Sequence, residues 1–456
     1  MRIVTPPLDI HNEEGFKQDI LDRKGFGESL LNLIERSQDE LVISLDGKWG
    51  EGKTTFVKMW QGLLSENNIP TIYIDAFAND YIDDAFISIA SSITTYAKNN
   101  IDKSKEEKFN EFKGKAKHVG VQLLSWTAKV GIKAATLGAV KESDIEELKD
   151  IKGDLAKGIS TAVGDFVEER LTSHSKDVEV LESFKTLLSE LPSTISNESN
   201  KPLVIIIDEL DRCKPTYAVE IIEKVKHLFS VRNVIFVLVM HRKQLEEAVK
   251  SIYGQNIDAH TYLQKFINID ATLPKRISDR NINDIKKYCQ QLYKLHELET
   301  WGDERTLISS LESLSTYFNL TLRQLEKVFT NISVFYASSS ENSLRLTPLT
   351  SFLAVIKVIN TSLFDDLLHG RVTYEHICSV IGFADAPNQA GNDRIMTRLM
   401  DWVRFALITD EEFEKLDPKD PIRDYGQSLW QYSIEQGELM PLICQNLSIF
   451  NVSQNV

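Results

Sequence analysis

The chain has 456 residues, of which 42% are hydrophobic and 26% charged, ample apolar material for a core; a disordered, collagen-like or low-complexity chain is excluded. Its 52 Lys and Arg against 67 Asp and Glu leave a net charge of −15, a poor match for a protein that coats nucleic acid or an anionic membrane. The four cysteines, Cys213, Cys289, Cys378 and Cys444, lie far apart without a C-x-x-C pair, which fits free thiols in a reducing compartment and not a disulfide framework or a zinc site.

The first twenty residues carry Asp9, Glu13 and Glu14 and no long apolar run, so no signal peptide is read there and a cytoplasmic location is expected. Phe16, Ile20, Leu21, Phe26, Leu30, Leu31 and Ile34 recur at helical spacing and predict a helix over 16–36. The apolar run 41–45 predicts a buried strand ending at Asp46-Gly47, followed by a glycine-rich loop and a helix over 53–64. A second strand is predicted over 71–75, again ending in a carboxylate. Strand, helix, strand is the pattern of a parallel sheet.

From Ile82 to Glu190 the sequence reads as helical and highly charged, too long for a connection inside a compact α/β domain, so a helical insertion is expected. Within it, Lys103–His118 alternates Lys and Glu and reads as a solvated helix face. Val119–Val140 is the most apolar stretch of any length. Lys129 and Lys133 interrupt it, so an amphipathic helix packed on protein is expected, with no membrane span. After a loop from Pro192 to Pro202, Leu203–Asp208 carries the strongest buried-strand signal, and a helix is predicted over 217–229. Val234–Met240 predicts a further central strand, 244–252 a helix, and Phe266–Asp270 a short strand closing the α/β part, with Pro274 marking the exit. The remainder reads as helical, with loops at 338–342 and 385–392; the Leu349–Ile359 helix is expected in a core, and the stretch around Met396, Leu399, Met400, Trp402, Val403 and Phe405 as a buried helix or a partner-binding face.

The residues that carry chemistry begin at Gly47-Lys48-Trp49-Gly50-Glu51-Gly52-Lys53-Thr54, which satisfies G-x-x-x-x-G-K-[ST]. By residue frequency alone the pattern would occur in roughly one chain in a hundred of this length; the strand before it and the helix after it weigh against an ordinary glycine turn. Glycines let backbone N–H groups turn inward to cradle phosphate oxygens, and the helix start adds its positive dipole end. Lys53 is expected to reach the β- and γ-phosphates of a nucleotide, and the Thr54 hydroxyl to ligate Mg²⁺. A second motif, Ile205-Ile206-Ile207-Asp208-Glu209-Leu210-Asp211, puts a carboxylate at the tip of a buried strand. Asp208 there fits the acid that holds magnesium in P-loop NTPases, although alone it would equally fit a helix cap. Glu209 is placed where a glutamate polarises the attacking water in NTPases with an added strand between the two motifs. No N-K-x-D motif for guanine is present, so ATP is expected over GTP.

These two motifs resemble those of the KAP family of P-loop NTPases, whose hallmarks are a tryptophan inside the phosphate loop and D-[DE]-L-D-R-C in the second motif, here Asp208-Glu209-Leu210-Asp211-Arg212-Cys213. The resemblance covers residues 15–335: Asp22-Arg23 before the first strand, Asp75-Ala76-Phe77 after the second, Tyr262-Leu263-Gln264-Lys265-Phe266, and Leu322-Arg323-Gln324-Leu325 in a helical lid. It implies nucleotide contacts from Gly47, Trp49, Gly50, Glu51, Gly52, Lys53, Thr54 and Thr55, a magnesium site at Thr54 and Asp208, and catalytic roles for Glu209, Lys53, Arg212 and Arg323. Arg242 and Arg276 are further transition-state candidates, for which a surface or salt-bridge role is the better fit. The chain departs from the family at His241-Arg242, where the family has Asp-Arg, and in the insertion, where the family often has membrane helices.

The expected architecture is an α/β parallel-sheet core over 1–275, a helical insertion within it over 83–196, a helical lid over 276–340 and a helical C-terminal region over 341–456. The expected function is Mg²⁺-dependent ATP hydrolysis driving a conformational switch, with a homo-oligomer or a protein effector as partner and, through the resemblance to phage-exclusion ATPases, a role in phage defence. A non-hydrolysing, ATP-bound scaffold and a nucleic-acid motor are the alternatives; Glu209 argues against the first and the net charge of −15 against the second.

Overall fold

A computed structural model describes residues 1–6, 15–37, 39–81, 84–100, 106–129, 179, 181–195, 201–275, 284–382, 394–430, 432 and 434–448. Its centre is a five-stranded, wholly parallel sheet in the order β2-β3-β4-β1-β5, with β1 at Leu41–Asp46, β2 at Thr71–Asp75, β3 at Leu203–Asp208, β4 at Val234–Met240 and β5 at Ile269–Thr272. The two motif-bearing strands, β1 and β3, are thus not neighbours. β4 pairs with both, Ile43 facing Val237 on one side and Ile205 facing Phe236 on the other.

Burial on both faces explains the unbroken apolar runs of β3 and β4, every residue of which is buried. Successive side chains point to opposite faces. Val204 and Ile206 meet Phe56, Trp60 and Leu63 of the Lys53–Glu66 helix, with Leu30, Leu31 and Ile34 of the Lys24–Arg36 helix behind them. Leu203, Ile205 and Ile207 enter the opposite core with Phe86, Phe112, Phe184 and Phe229. That second core joins the insertion to the sheet. On the insertion's Glu106–Lys129 helix, Phe109, Phe112, Ala116 and Val119 are buried, while the Lys and Glu residues described between them are largely exposed, as a solvated helix face requires. No helix among the described residues is long and apolar enough to cross a membrane; residues 130–140 lie outside them.

A third core gathers the helices from Asp284 to Leu447 and reaches back to Leu21. The Thr347–Ile359 helix is buried over eight consecutive residues, Leu349–Ile356, and Arg394–Leu407 buries Met396, Leu399, Trp402, Val403 and Phe405, so this stretch is core and not an exposed partner face. The cysteines among the described residues are free thiols.

Two elements differ from expectation. The first helix spans Lys24–Arg36, not 16–36: Asp22 adopts φ +52°, the Asp19 carboxylate accepts the Lys24 N–H at 2.8 Å, and Phe16 leaves the helical line to pack on Phe56. The last strand is shifted to Ile269–Thr272, because Phe266 and Ile267 complete the turn after the Ala259–Gln264 helix, their N–H groups bonding to Leu263. The predicted loop 385–392 lies outside the described residues.

Candidate nucleotide site

All strands of the sheet run the same way, so the loops after β1, β2, β3 and β4 open on one edge, where ligands of open α/β sheets bind. The loop after β1 is anchored by the Gly47 N–H, which donates to the Met240 carbonyl of β4 at 3.2 Å. Gly50 and Gly52 both have φ +80°, a conformation that side chains with a Cβ adopt only under strain. Gly52 then starts the Lys53–Glu66 helix, whose first N–H groups face the cleft. Lys53 is nearly buried. Its Nζ donates to the Gly47 carbonyl at 2.6 Å, and burial holds its pKa below the usual lysine range while Asp211 and Asp208 pull it back. Glu51 folds back on its own loop: Oε2 accepts the Lys48 N–H at 2.8 Å, and its carbonyl accepts from Arg23 Nη1 at 2.9 Å.

Asp208 at the tip of β3 is fully buried. Burial raises its pKa; the opposing influences are hydrogen bonds from the Thr54 hydroxyl, the Glu209 N–H at 2.7 Å and the Tyr73 hydroxyl at 3.0 Å. The Thr54–Asp208 contact brings together the two oxygens expected to hold Mg²⁺, and an alcohol beside a buried carboxylate is the hard-oxygen donor set that this ion takes alongside phosphate oxygens. Glu209 has φ +60° and pairs with Arg212, Nη1 to Oε1, at 2.9 Å. Trp49 is 44% exposed; its indole N–H donates to Asp211 and its ring meets His241 edge-on at 5.7 Å, so the tryptophan ties the phosphate loop to the second motif.

The lid closes the other side. The Thr321 hydroxyl caps the Leu322–Ser338 helix, whose Arg323 N–H donates to the Gly50 carbonyl at 3.1 Å. Lys275 bridges core and lid, with Nζ 3.8 Å from Glu51 Oε1 and 3.0 Å from Asn319 Oδ1. The resulting cleft encloses about 920 Å³ of space, including open solvent. Lys53, Thr54, Asp208, Glu209, Arg212 and Arg323 all line it. So do Trp49, Gly50, Gly52 and Thr55, whereas Gly47 and Glu51 sit behind it.

Several lining or supporting residues had no signature of their own. Tyr73 is half-buried, on the less covered face of β2, and reaches Asp208 across the strand pair. Tyr288 and Glu326, on two lid helices, form a short hydrogen bond at the cleft wall. Arg23 entered only as part of a motif, and its contact with Glu51 puts a buried cation against the phosphate loop. By contrast, Arg242 is engaged away from the cleft with Glu246 and Asp270 and serves as a salt-bridge residue. Arg276 lies outside the described residues.

A model of the KAP family P-loop domain matches residues 23–339, which takes in both motifs, the insertion and the lid helix. No curated protein matches the chain. Two solved structures of the Aeropyrum pernix ORC2 protein align with it: the ADPNP–ADP complexes at 13% identity and TM-score 0.37, over 98% of this chain and 97% of that one, and the ADP form at 12% and 0.34, over 97% and 95%.

Proposed function

The chain belongs to the KAP family of P-loop domain proteins, and from that premise we propose that it is a Mg²⁺-dependent ATPase whose nucleotide state is passed to the lid. The observation that carries the proposal is the meeting of Lys53, Thr54, Asp208 and Glu209 in one cleft under Arg323. In this reading Lys53 exchanges the Gly47 carbonyl for phosphate oxygens, with the N–H groups of the loop and helix start around it. Thr54 and Asp208 hold the metal, which when bound neutralises phosphate charge. Glu209 accepts the proton of the attacking water, the oxygen of which bonds to the γ-phosphorus as the bond to ADP breaks.

The lid enters because Arg323 is carried by a backbone that already bonds to Gly50, so any rearrangement of the loop around phosphate is felt by the helix. The test is Glu209→Gln, a near-isosteric change that should retain ATP and Mg²⁺ while hydrolysis falls roughly 10²–10⁴-fold, the worth of a general base. Hydrolysis at the wild-type rate would refute the assignment. The proposal extends to phage defence through the resemblance to phage-exclusion ATPases. Plaque counts on cells carrying Lys53→Ala in place of the wild type check that step, and undiminished protection would sink it.

A further inference from the structure

The resting site contains one contact that hydrolysis as proposed has to break. Glu209 is the residue read as the base, and its Oε1 is held at 2.9 Å by Arg212. The pair closes a tight loop: the Arg212 N–H donates to the Glu209 carbonyl at 3.1 Å, and Leu210–Arg212 forms a single 3₁₀ turn. Glu209 is in the left-handed region at φ +60°, a strained conformation for a non-glycine residue, and the Asp208 carboxylate supports it by accepting the Glu209 N–H. With Oε1 already accepting from the guanidinium, the carboxylate has less capacity left to accept from a water.

Two of the other cations that line the cleft are placed differently. Lys53 and Arg23 donate to loop carbonyls, which are neutral. Arg212 donates to a carboxylate, and both members of the pair line the cleft. The planar fork of a guanidinium matches phosphate as well as carboxylate, and a terminal phosphate carries more charge than one glutamate. ADP ends at its β-phosphate and offers no γ-phosphate at that position.

We propose that Arg212 is the γ-phosphate gauge of the site: it holds Glu209 in the nucleotide-free protein and exchanges that carboxylate for the terminal phosphate of ATP, so that Glu209 is released only when the phosphate it acts on is present. The inference rests on the reading of Glu209 as the base. With ADP the Glu209–Arg212 pair stays closed. The arrangement thereby couples recognition of the third phosphate to the availability of the base.

The test is a double-mutant cycle on binding, in which no turnover is needed. Isothermal titration with the β,γ-imido analogue of ATP and, separately, with ADP, each with Mg²⁺, is run on the wild type, Glu209→Gln, Arg212→Ala and the double variant. Removing Glu209 frees Arg212 and also relieves charge repulsion with the phosphate; in the Arg212→Ala background only the second effect remains. The gain in analogue affinity from Glu209→Gln should therefore be about two- to five-fold larger with Arg212 present than without it, the worth of a partly exposed ion pair. The same cycle with ADP should be additive. Should Arg212→Ala fail to fold, Arg212→Gln, neutral and of similar length, takes its place. Additive effects with the triphosphate analogue, or equal coupling with ADP, would overturn the proposal. So would hydrolysis by Glu209→Gln at the wild-type rate, which removes the base itself. That failure is read in a separate assay and so is distinguished from a failure of the gauge.

Discussion

Gly50→Ala isolates the seam between the phosphate loop and the lid. Gly50 has φ +80°, and a Cβ built there would lie 2.6 Å from Arg323 Cβ and 3.1 Å from Thr321 Oγ1. The first neighbour is fixed to the lid backbone, so it cannot give way without moving the helix. Gly52 provides the control, with the same φ and a side-chain tip, Arg23 Nη1 at 3.3 Å, as its tightest neighbour. Gly52→Ala should therefore cost the left-handed strain alone, about 1–2 kcal/mol. Gly50→Ala carries that strain and also breaks the Arg323 N–H to Gly50 carbonyl bond, worth about 1 kcal/mol, for a total of about 2–3 kcal/mol. Urea denaturation without nucleotide measures both. Limited proteolysis of the same samples should show the Leu322–Ser338 helix cut faster in Gly50→Ala than in Gly52→Ala. Equal stability and equal protection in the two variants would refute the claim that the lid seats on Gly50.

Lys53→Ala should leave the fold intact and lower ATP affinity by at least about 100-fold, two charge-assisted hydrogen bonds to phosphate being lost, as calorimetry would show. Tyr73→Phe removes the donor to Asp208 while keeping the ring; it should raise the Mg²⁺ concentration needed for tight ATP binding and leave metal-free nucleotide affinity unchanged, a separation visible in a magnesium titration. Glu220 titrates near pH 7, raised first by burial and then by Asp84, with Lys224 opposing. Since its folded pKa lies above the unfolded one, the protonated form stabilises the fold fully below about pH 4.5, and that contribution is lost as pH rises through about 7. Glu220→Gln should accordingly gain about 2 kcal/mol over the wild type at pH 8, allowing for partial exposure, and nothing at pH 4; a gain independent of pH would show that the carboxylate is not the cause.

The chemistry-bearing residues were legible because each motif is local. Eight consecutive residues, Gly47–Thr54, specify a phosphate loop, since backbone freedom at the glycines, a lysine and a hydroxyl act within one turn. Likewise β3 and β4 announced themselves by unbroken apolar runs, because burial on both faces of a parallel sheet removes the alternation that a half-exposed strand would keep. The edge strand β5, short and only partly buried, left a weaker imprint, and its bounds came out shifted. The start of the first helix was misplaced for a related reason: Phe16 is apolar at helical spacing, yet it is buried by tertiary packing on Phe56 and not by a helix of its own.

What the sequence by itself determined, then, is the class of ligand: glycine conformations and a lysine within one turn are demands of phosphate chemistry that no packing can supply. What only the tertiary structure decided is which distant groups serve them. The strand order inserts β4 between the two motif strands, yet Thr54 and Asp208 still meet. Tyr73 reaches Asp208 from a neighbouring strand, and Arg323 is delivered to Gly50 from a helix more than 270 residues downstream. These meetings depend on strand pairing and on the apolar cores that seat the lid. Such long-range free-energy terms are summed over dozens of side chains, so no single residue carries a mark of them.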